Sequence, residues 1–162
     1  FEYGQTLGCD APTLDVSKFD AFLYIGDGYF HPKGIVMNNT LPVYIYNPVE
    51  QKIALYDRSE VEWMLKRKKA GISSFLMYDC IGLLVSLKSG QNRYVLLDKL
   101  KKKFPDKQYY TFIFDSIDYS QLENFPFIQV WVNTACPRIG LDDTNKIVKP
   151  VVNIIDLLEL KM

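Results

Sequence analysis

The sequence has no excess of charge of either sign, and it has few cysteines and histidines. It carries 19 Lys and Arg residues against 19 Asp and Glu, with one His and three Cys in 162 residues. A net charge of zero provides no broad field that would attract nucleic acid or an anionic membrane. We therefore predict no direct nucleic-acid binding. Three Cys without a CxxC pair fit neither a disulfide scaffold nor a zinc knuckle, so we also predict a reduced, cytoplasmic protein.

Long apolar runs are also missing. None reaches the roughly 20 residues that a membrane helix needs, and no signal peptide opens the chain, so we predict no membrane partner. Two basic runs, 66–69 and 99–103, lie in helix-like stretches and favour a solvated helix face over a nucleic-acid patch. The chain begins with Phe1 rather than Met, and residues 1–4 are typical of the inside of a structural element. We therefore expect a fragment, or one piece of a longer protein.

What the sequence does contain is a series of short apolar runs that alternate with helix-like stretches. Hydrophobic residues make up 48% of the chain, which is enough for a core. Runs that are apolar on both faces are typical of parallel sheets covered by helices, so the pattern predicts an α/β fold. The predicted strands are 21–25, 41–46, 52–56, 81–87, 109–114, 127–132 and 151–155, and the predicted helices are 60–77, 93–104 and 119–124.

A weak internal repeat divides these elements into two groups. Residues 18–26 align with residues 124–132, and each copy is followed about two dozen residues later by a Pro-Val strand, at Pro42 and at Pro150. We interpret the repeat as two related parallel-sheet α/β units with the helix 60–77 between them. A true duplication and the generic likeness of α/β units both explain it.

Cys9 and Cys136 each close a strand-like run, and each is followed by Pro and a turn. In open parallel sheets, ligands bind at the carboxyl ends of strands. Two thiols in such positions indicate a shared metal or iron–sulfur site, and the alternative is a pair of buried, inert thiols. Cys80 instead precedes its strand, which places it at the opposite edge of the sheet, and we assign it a structural role.

Other polar residues follow the same strands. Gly26 and Gly28 flank an acidic residue and form either a tight turn or part of a ligand loop. His31 is either a hydrogen-bonded structural residue or a ligand contact. Arg138 is placed to pair with the carboxylate of a ligand. Asp142 or Asp143 either binds an amine or caps the following segment.

Four segments together resemble the archaeal diphthamide biosynthesis enzymes, which form a 3-amino-3-carboxypropyl transferase family. Their order and spacing fit the family across essentially the whole chain. The His-Pro and Ala-Cys-Pro-Arg motifs are the specific ones, whereas the strands are not. The segments are QTLGC at 5–9, YIGDGYFHPKG at 24–34, LLVSLKSGQ at 83–91 and ACPRIGLD at 135–142.

The resemblance implies three similar α/β domains, each of which gives one cysteine to a 4Fe–4S cluster. The cluster of such enzymes binds S-adenosylmethionine at its open iron in a non-canonical radical reaction. The family transfers the aminocarboxypropyl group to a histidine of translation elongation factor 2, which is the first step of diphthamide biosynthesis. The archaeal members work as homodimers.

By this resemblance the chain holds the later part of the middle domain (1–58), a connecting helix (59–78) and the last domain (79–162). Cys9 and Cys136 then match two of the cluster ligands, and the third lies outside this chain, either on a missing amino-terminal portion or on a separate chain. Arg138 would face the methionine carboxylate. The residues that would line the cofactor pocket are Gly26, Gly28, His31, Gln91, Arg138 and Asp142.

Two other functions stay open. The chain fits a non-catalytic partner subunit that supports the cluster of a catalytic chain. It also fits a small phosphate- or nucleotide-binding α/β module that uses Gly26, Asp27 and Gly28. In this last case neither Cys9 nor Cys136 would matter for ligand binding.

Overall fold

The computed structural model describes residues 4–6, 15–91 and 93–161, without the side chain of Asn145. The chain forms two compact units, Phe1–Leu65 and Lys66–Met162, and the division falls within the long helix α2. The predicted domain boundaries at residues 58 and 78 stay a prediction. Along the described ranges, no helix has both the length and the apolar content that crossing a bilayer requires.

The first unit has a three-stranded sheet with the order β1-β2-β3. Strands β1 and β2 are parallel, as predicted, but β3 is antiparallel to β2. The prediction of a parallel sheet is wrong for β3 because only a short turn joins it to β2, and such a turn connects antiparallel neighbours. The Asn47 side chain accepts hydrogen bonds from the Val49 and Glu50 N–H groups in that turn. The elements are β1 (Phe22–Ile25), α1 (Phe30–Asn38), β2 (Val43–Asn47) and β3 (Lys52–Leu55).

The two faces of this sheet differ. Val43 and Ile45 point into a core that also contains Val36 of α1. The opposite face carries two rows of apolar side chains. Each row runs across the three strands through residues that are paired in the strand register. Most of these side chains are exposed. The rows are Leu23–Tyr44–Leu55 and Ile25–Tyr46–Ile53.

The second unit has a four-stranded sheet with the order β5-β4-β6-β7, in which all neighbours are parallel. Helices flank the sheet, so the predicted α/β class is confirmed. The elements are α2 (Ser59–Met77, which begins in the first unit), β4 (Cys80–Ser86), α3 (Val95–Lys103), β5 (Gln108–Phe114), β6 (Val130–Asn133), β7 (Val151–Asn153) and α4 (Ile154–Leu158).

Both faces of this second sheet are buried. Along β4, Leu83 packs into a cluster with the flanking helices, whereas Leu84 packs into a second cluster that contains Trp131. Alternate residues of a strand point to opposite faces, so the two clusters lie on opposite sides of the sheet. This arrangement explains why the strand sequences are apolar without alternation.

Several elements differ from the sequence prediction. Helix α1 lies between two predicted strands, where no helix was predicted, and Pro32 is tolerated there because it lies in the first helical turn. The predicted helix 119–124 is a 3-10 helix, and the strand predicted at 127–132 begins only at Val130. The predicted strand 151–155 ends at Asn153, and helix α4 follows at once. Ile154 and Leu157 are three residues apart and both buried, which is helical spacing rather than strand alternation.

Gly82 of β4 provides a test of the packing in the second unit. A Cβ atom at Gly82 would overlap the ring of Trp131, which is almost fully buried, and would lie 3.0 Å from Cγ2 of Ile128. We expect Gly82→Ala to lower the free energy of unfolding by roughly 1–3 kcal/mol, because an overpacked core must shift its side chains. Urea denaturation measures the effect. Gly4→Ala is the control, since its Cβ would meet nothing within 4 Å. Equal stabilities of Gly82→Ala and wild type would contradict this packing.

Candidate functional site

The strand order of the second unit creates a topological switch point. Strand β4 is followed by α3 and leads to β5 on one side, whereas β6 leads to β7 on the other side, and β4 and β6 are neighbours. Connections that leave neighbouring strands in opposite directions open a crevice at their carboxyl ends, which is where α/β sheets bind ligands. The segments at this crevice are 87–91 after β4 and 134–136 after β6. The second contains Cys136.

Hydrogen bonds hold the segment of Cys136 against the sheet. The N–H and Oγ1 of Thr134 both donate to the Leu84 carbonyl, at 3.0 and 2.8 Å. The Asn133 side chain accepts from the Ala135 N–H at 3.0 Å and donates to the Cys136 carbonyl at 2.9 Å. Cys136 is half-buried and precedes a 3-10 helix at Pro137–Gly140. The thiol is therefore carried by a backbone that is fixed on both sides.

Arg138 and Asp142, which follow Cys136 in the chain, form an ion pair. Nε of Arg138 contacts Oδ2 of Asp142, and the side chains are 11% and 25% exposed. The Asp142 N–H also donates to the Arg138 carbonyl at 2.7 Å. A carboxylate that engages one edge of a guanidinium fixes its plane, which suits recognition of a second carboxylate. Asp142 stands at the N-cap of the next 3-10 helix but makes no capping bond through its side chain.

A second polar group lies near Cys136, and the sequence pointed only to its Asp143. The Tyr119 hydroxyl donates to Oδ2 of Asp143 at 2.7 Å, and Lys146 Nζ lies 2.7 Å from Oδ1 of the same carboxylate. Burial, and then the bond to Asp143, raise the pKa of Tyr119 far above its usual value, and the nearby Cys136 adds to the rise. Burial opposes ionisation of Asp143, but Lys146 and Tyr119 hold the pKa of Asp143 below its usual value. The sequence indicated Asp143 as an alternative to Asp142, and it gave no signal for Tyr119 or Lys146.

Gln91 lies at the same edge of the sheet. It ends a turn past β4 in which its N–H donates to the Lys88 carbonyl at 3.1 Å, and Gly90 there has φ +76°. The Ser86 hydroxyl accepts from the Lys88 N–H at 3.1 Å. The structure thus places Cys136, Arg138, Asp142 and Gln91 on segments that follow neighbouring strands of one unit.

The other predicted pocket residues belong to the first unit. Gly28 has φ +73°, a conformation that favours glycine, and it follows β1. The N–H of Gly26 donates to the Tyr46 carbonyl at 3.0 Å. His31 is the second residue of α1, and its ring meets that of Phe30 edge-on at 5.2 Å. These positions leave the assignment of Gly26, Gly28 and His31 to a cofactor pocket as a prediction.

The three cysteines have different places. Cys80 is the first residue of β4 and donates a 3.6 Å hydrogen bond to the Gln108 side chain, so it lies at the opposite end of the sheet from Cys136. Cys9 lies outside the described residues. Over the described part of the chain, no three His, Cys, Asp or Glu side chains form a group that could hold a metal ion. The Cys136 thiol fits as one ligand of a shared iron–sulfur cluster, since such clusters take thiolates.

Comparison with known proteins supports the family resemblance that the sequence motifs indicated. A protein-family model described as "Putative diphthamide synthesis protein" matches residues 1–160. The chain is 32% identical over 152 residues to 2-(3-amino-3-carboxypropyl)histidine synthase subunit 1 of Yarrowia lipolytica, covering 92% of the chain and 34% of that relative. It is 30% identical over 151 residues to 2-(3-amino-3-carboxypropyl)histidine synthase of Pyrococcus horikoshii, covering 92% of the chain and 43% of that relative.

A solved structure is also similar. The crystal structure of Dph2 from Pyrococcus horikoshii with a 4Fe-4S cluster matches with a TM-score of 0.72 and 28% sequence identity. The match covers 98% of this chain and 46% of that one. The chain thus spans between a third and a half of the length of these similar proteins.

Proposed function

The chain belongs to the diphthamide synthesis family, and we propose that it forms part of an iron–sulfur 3-amino-3-carboxypropyl transferase. In this proposal the donor is S-adenosylmethionine and the acceptor is a histidine of translation elongation factor 2. The observation that carries the proposal is the placement of Cys136, a thiol held at the topological switch point of a parallel sheet. This is where a sheet of this kind presents ligands to a cofactor.

Cys136 and Cys9 would hold a 4Fe–4S cluster together with a third cysteine from outside this chain. When bound, the cluster supplies an electron for reductive, radical cleavage of the bond between the sulfonium and the aminocarboxypropyl carbon. The chain's own contribution is binding and orientation. The backbone around Cys136 is fixed by hydrogen bonds before any cofactor arrives, which lowers the cost of ordering the site.

Arg138 would bind the carboxylate of S-adenosylmethionine. Its guanidinium lies two residues beyond Cys136, mostly shielded from water, and Asp142 fixes its orientation. A partly desolvated guanidinium forms stronger hydrogen bonds to a carboxylate than an exposed one does. The other residues assigned to the pocket are Gly26, Gly28, His31, Gln91 and Asp142.

The remaining parts of the proposal concern assembly. We propose that a missing amino-terminal portion or a separate chain completes the cluster, that the protein works as a homodimer, and that it acts in the cytoplasm. The naming of one relative as "subunit 1" supports an assembly of several chains. The elongation factor is the proposed protein partner.

A product assay tests the proposed function. The full-length protein would be loaded anaerobically, reduced, and given elongation factor and S-adenosylmethionine that is labelled in its aminocarboxypropyl carbons. We expect the label on a histidine of the elongation factor, with release of methylthioadenosine. Cluster-loaded protein that binds S-adenosylmethionine but never transfers the label would contradict the proposal.

A non-catalytic supporting subunit is the second candidate, and the subunit naming of the relatives favours it. Gln91→Ala separates the two candidates, because Gln91 lies at the carboxyl edge of the sheet and not in the core. Loss of cofactor cleavage in this variant favours the enzyme. Unchanged cleavage favours the supporting role, provided that the assembly loses cleavage when this chain is left out.

A further inference from the structure

Two buried asparagines lie side by side beneath the segment of Cys136. Asn133 ends β6 and Asn153 ends β7, and the two are paired in the strand register. They are only 1% and 6% exposed. Asparagine is depleted in strands, and a buried amide costs free energy unless its hydrogen bonds are made. Two such residues at one register position therefore need an explanation beyond filling space.

The hydrogen bonds of the pair end on the cysteine segment. Asn133 Nδ2 donates to Asn153 Oδ1 at 2.7 Å and to the Cys136 carbonyl at 2.9 Å. Asn133 Oδ1 accepts from the Ala135 N–H at 3.0 Å, and Asn153 Nδ2 donates to the Pro137 carbonyl at 2.9 Å. The two side chains thus hold the backbone on both sides of the Cys136 Cα.

Gly140 shows how closely the segment sits on this pair. A Cβ atom at Gly140 would overlap the amide of Asn153. The 3-10 helix after Cys136 therefore closes directly on Asn153, with no side chain between them. Since Asn153 is itself held by Asn133, the contact links the end of β7 to the loop that follows β6.

We infer that Asn133 and Asn153 are positioning residues that fix the backbone of Cys136 and so set where its thiolate meets the cluster. The inference rests on the proposed function. Groups that hydrogen-bond to a metal ligand do not touch the metal, but their removal typically weakens metal binding. In this protein the amide pair acts through the carbonyls of Cys136 and Pro137, so its loss would loosen the thiol without removing it.

The test compares Asn133→Ala with wild type in the full-length protein. Two rates are measured. The first is the rate at which an iron chelator removes the cluster absorbance. The second is the rate at which iodoacetamide alkylates Cys136 in the metal-free protein, followed by mass spectrometry of the peptide that contains Cys136. We expect cluster loss to be roughly tenfold faster or more, and the alkylation rate to change as well. Asn133→Ser should recover part of the effect, because a short side-chain oxygen can still accept from the Ala135 N–H.

Tyr109→Phe is the matched control. It removes one hydrogen bond, from a half-buried hydroxyl to the Phe104 carbonyl at 2.8 Å, near the other end of the same sheet. It should cost stability without changing either rate. Equal acceleration in Tyr109→Phe and Asn133→Ala would mean that general loosening explains the result, and it would overturn the inference. Should Asn133→Ala fail to fold, Asn153→Ala, which breaks the bond to Pro137, is read in the same way.

Failure of this inference is distinguishable from failure of the proposed function. Retention of the cluster in Cys136→Ala would contradict the proposed ligand, and the alkylation rates would still decide whether the asparagines position the thiol. If Cys136→Ala loses the cluster while Asn133→Ala and Asn153→Ala keep wild-type values for both rates, the positioning role is wrong.

Discussion

Cys136→Ala in the full-length protein is expected to abolish loading of the iron–sulfur cluster. The variant removes a thiolate that the fold presents at the carboxyl end of β6, and alanine offers no ligand in its place. The backbone bonds from Asn133 and Thr134 do not involve the thiol, so the fold should be retained. Iron content and visible absorbance after anaerobic reconstitution measure the loss, and circular dichroism confirms that the fold is intact.

Cys80→Ser is the matched control for that variant. Cys80 lies at the opposite end of the same sheet from Cys136, and its thiol donates a hydrogen bond to the Gln108 side chain. We expect full loading and a stability loss of ~1 kcal/mol, which is typical of a single substitution. If Cys80→Ser lost the cluster while Cys136→Ala kept it, the ligand assignment would be wrong.

Arg138→Ala is expected to weaken S-adenosylmethionine binding by roughly 10- to 100-fold, the range expected from the loss of a charged hydrogen bond. The guanidinium is 11% exposed and oriented by Asp142, so a carboxylate would meet a preset, partly desolvated donor. The dissociation constant of the cluster-loaded protein, measured by equilibrium binding, reports the effect. Iron content should not change, because Arg138 is not a cluster ligand.

Two variants isolate the role of this guanidinium. Arg138→Lys keeps the charge but loses the planar fork, so its binding should also be weakened. Lys146→Ala removes a nearby cation that is 58% exposed and paired with Asp143, and it should bind like wild type. Wild-type affinity in Arg138→Ala would contradict the assignment. Equal losses in Arg138→Ala and Lys146→Ala would indicate a general effect of charge instead.

Much of the second unit was predictable because its strands are buried on both faces. β4 and β5 start and end within one residue of their predicted bounds. Burial on both faces requires a continuous apolar run, and the polar residues at each end of that run mark its bounds clearly. The position of Cys136 beyond a parallel strand followed from the same pattern.

The rest depended on contacts that a local pattern does not contain. The direction of β3 is decided by a turn around Asn47, and helix α1 starts after Gly28 without a polar capping bond. The Asn133–Asn153 pair joins residues twenty positions apart, through a register that no local pattern specifies. Tyr119 was one of 11 tyrosines, and nothing in its neighbours distinguished it from those in the core.

The iron–sulfur site is tested by measuring iron and acid-labile sulfide per chain in the full-length protein after anaerobic reconstitution. We expect iron and sulfide in equal amounts in wild type, and neither above background in Cys136→Ala. Wild-type protein that binds no iron or sulfide, in the presence of the portion or chain that supplies the third cysteine, would contradict the iron–sulfur site and leave a plain α/β ligand-binding module.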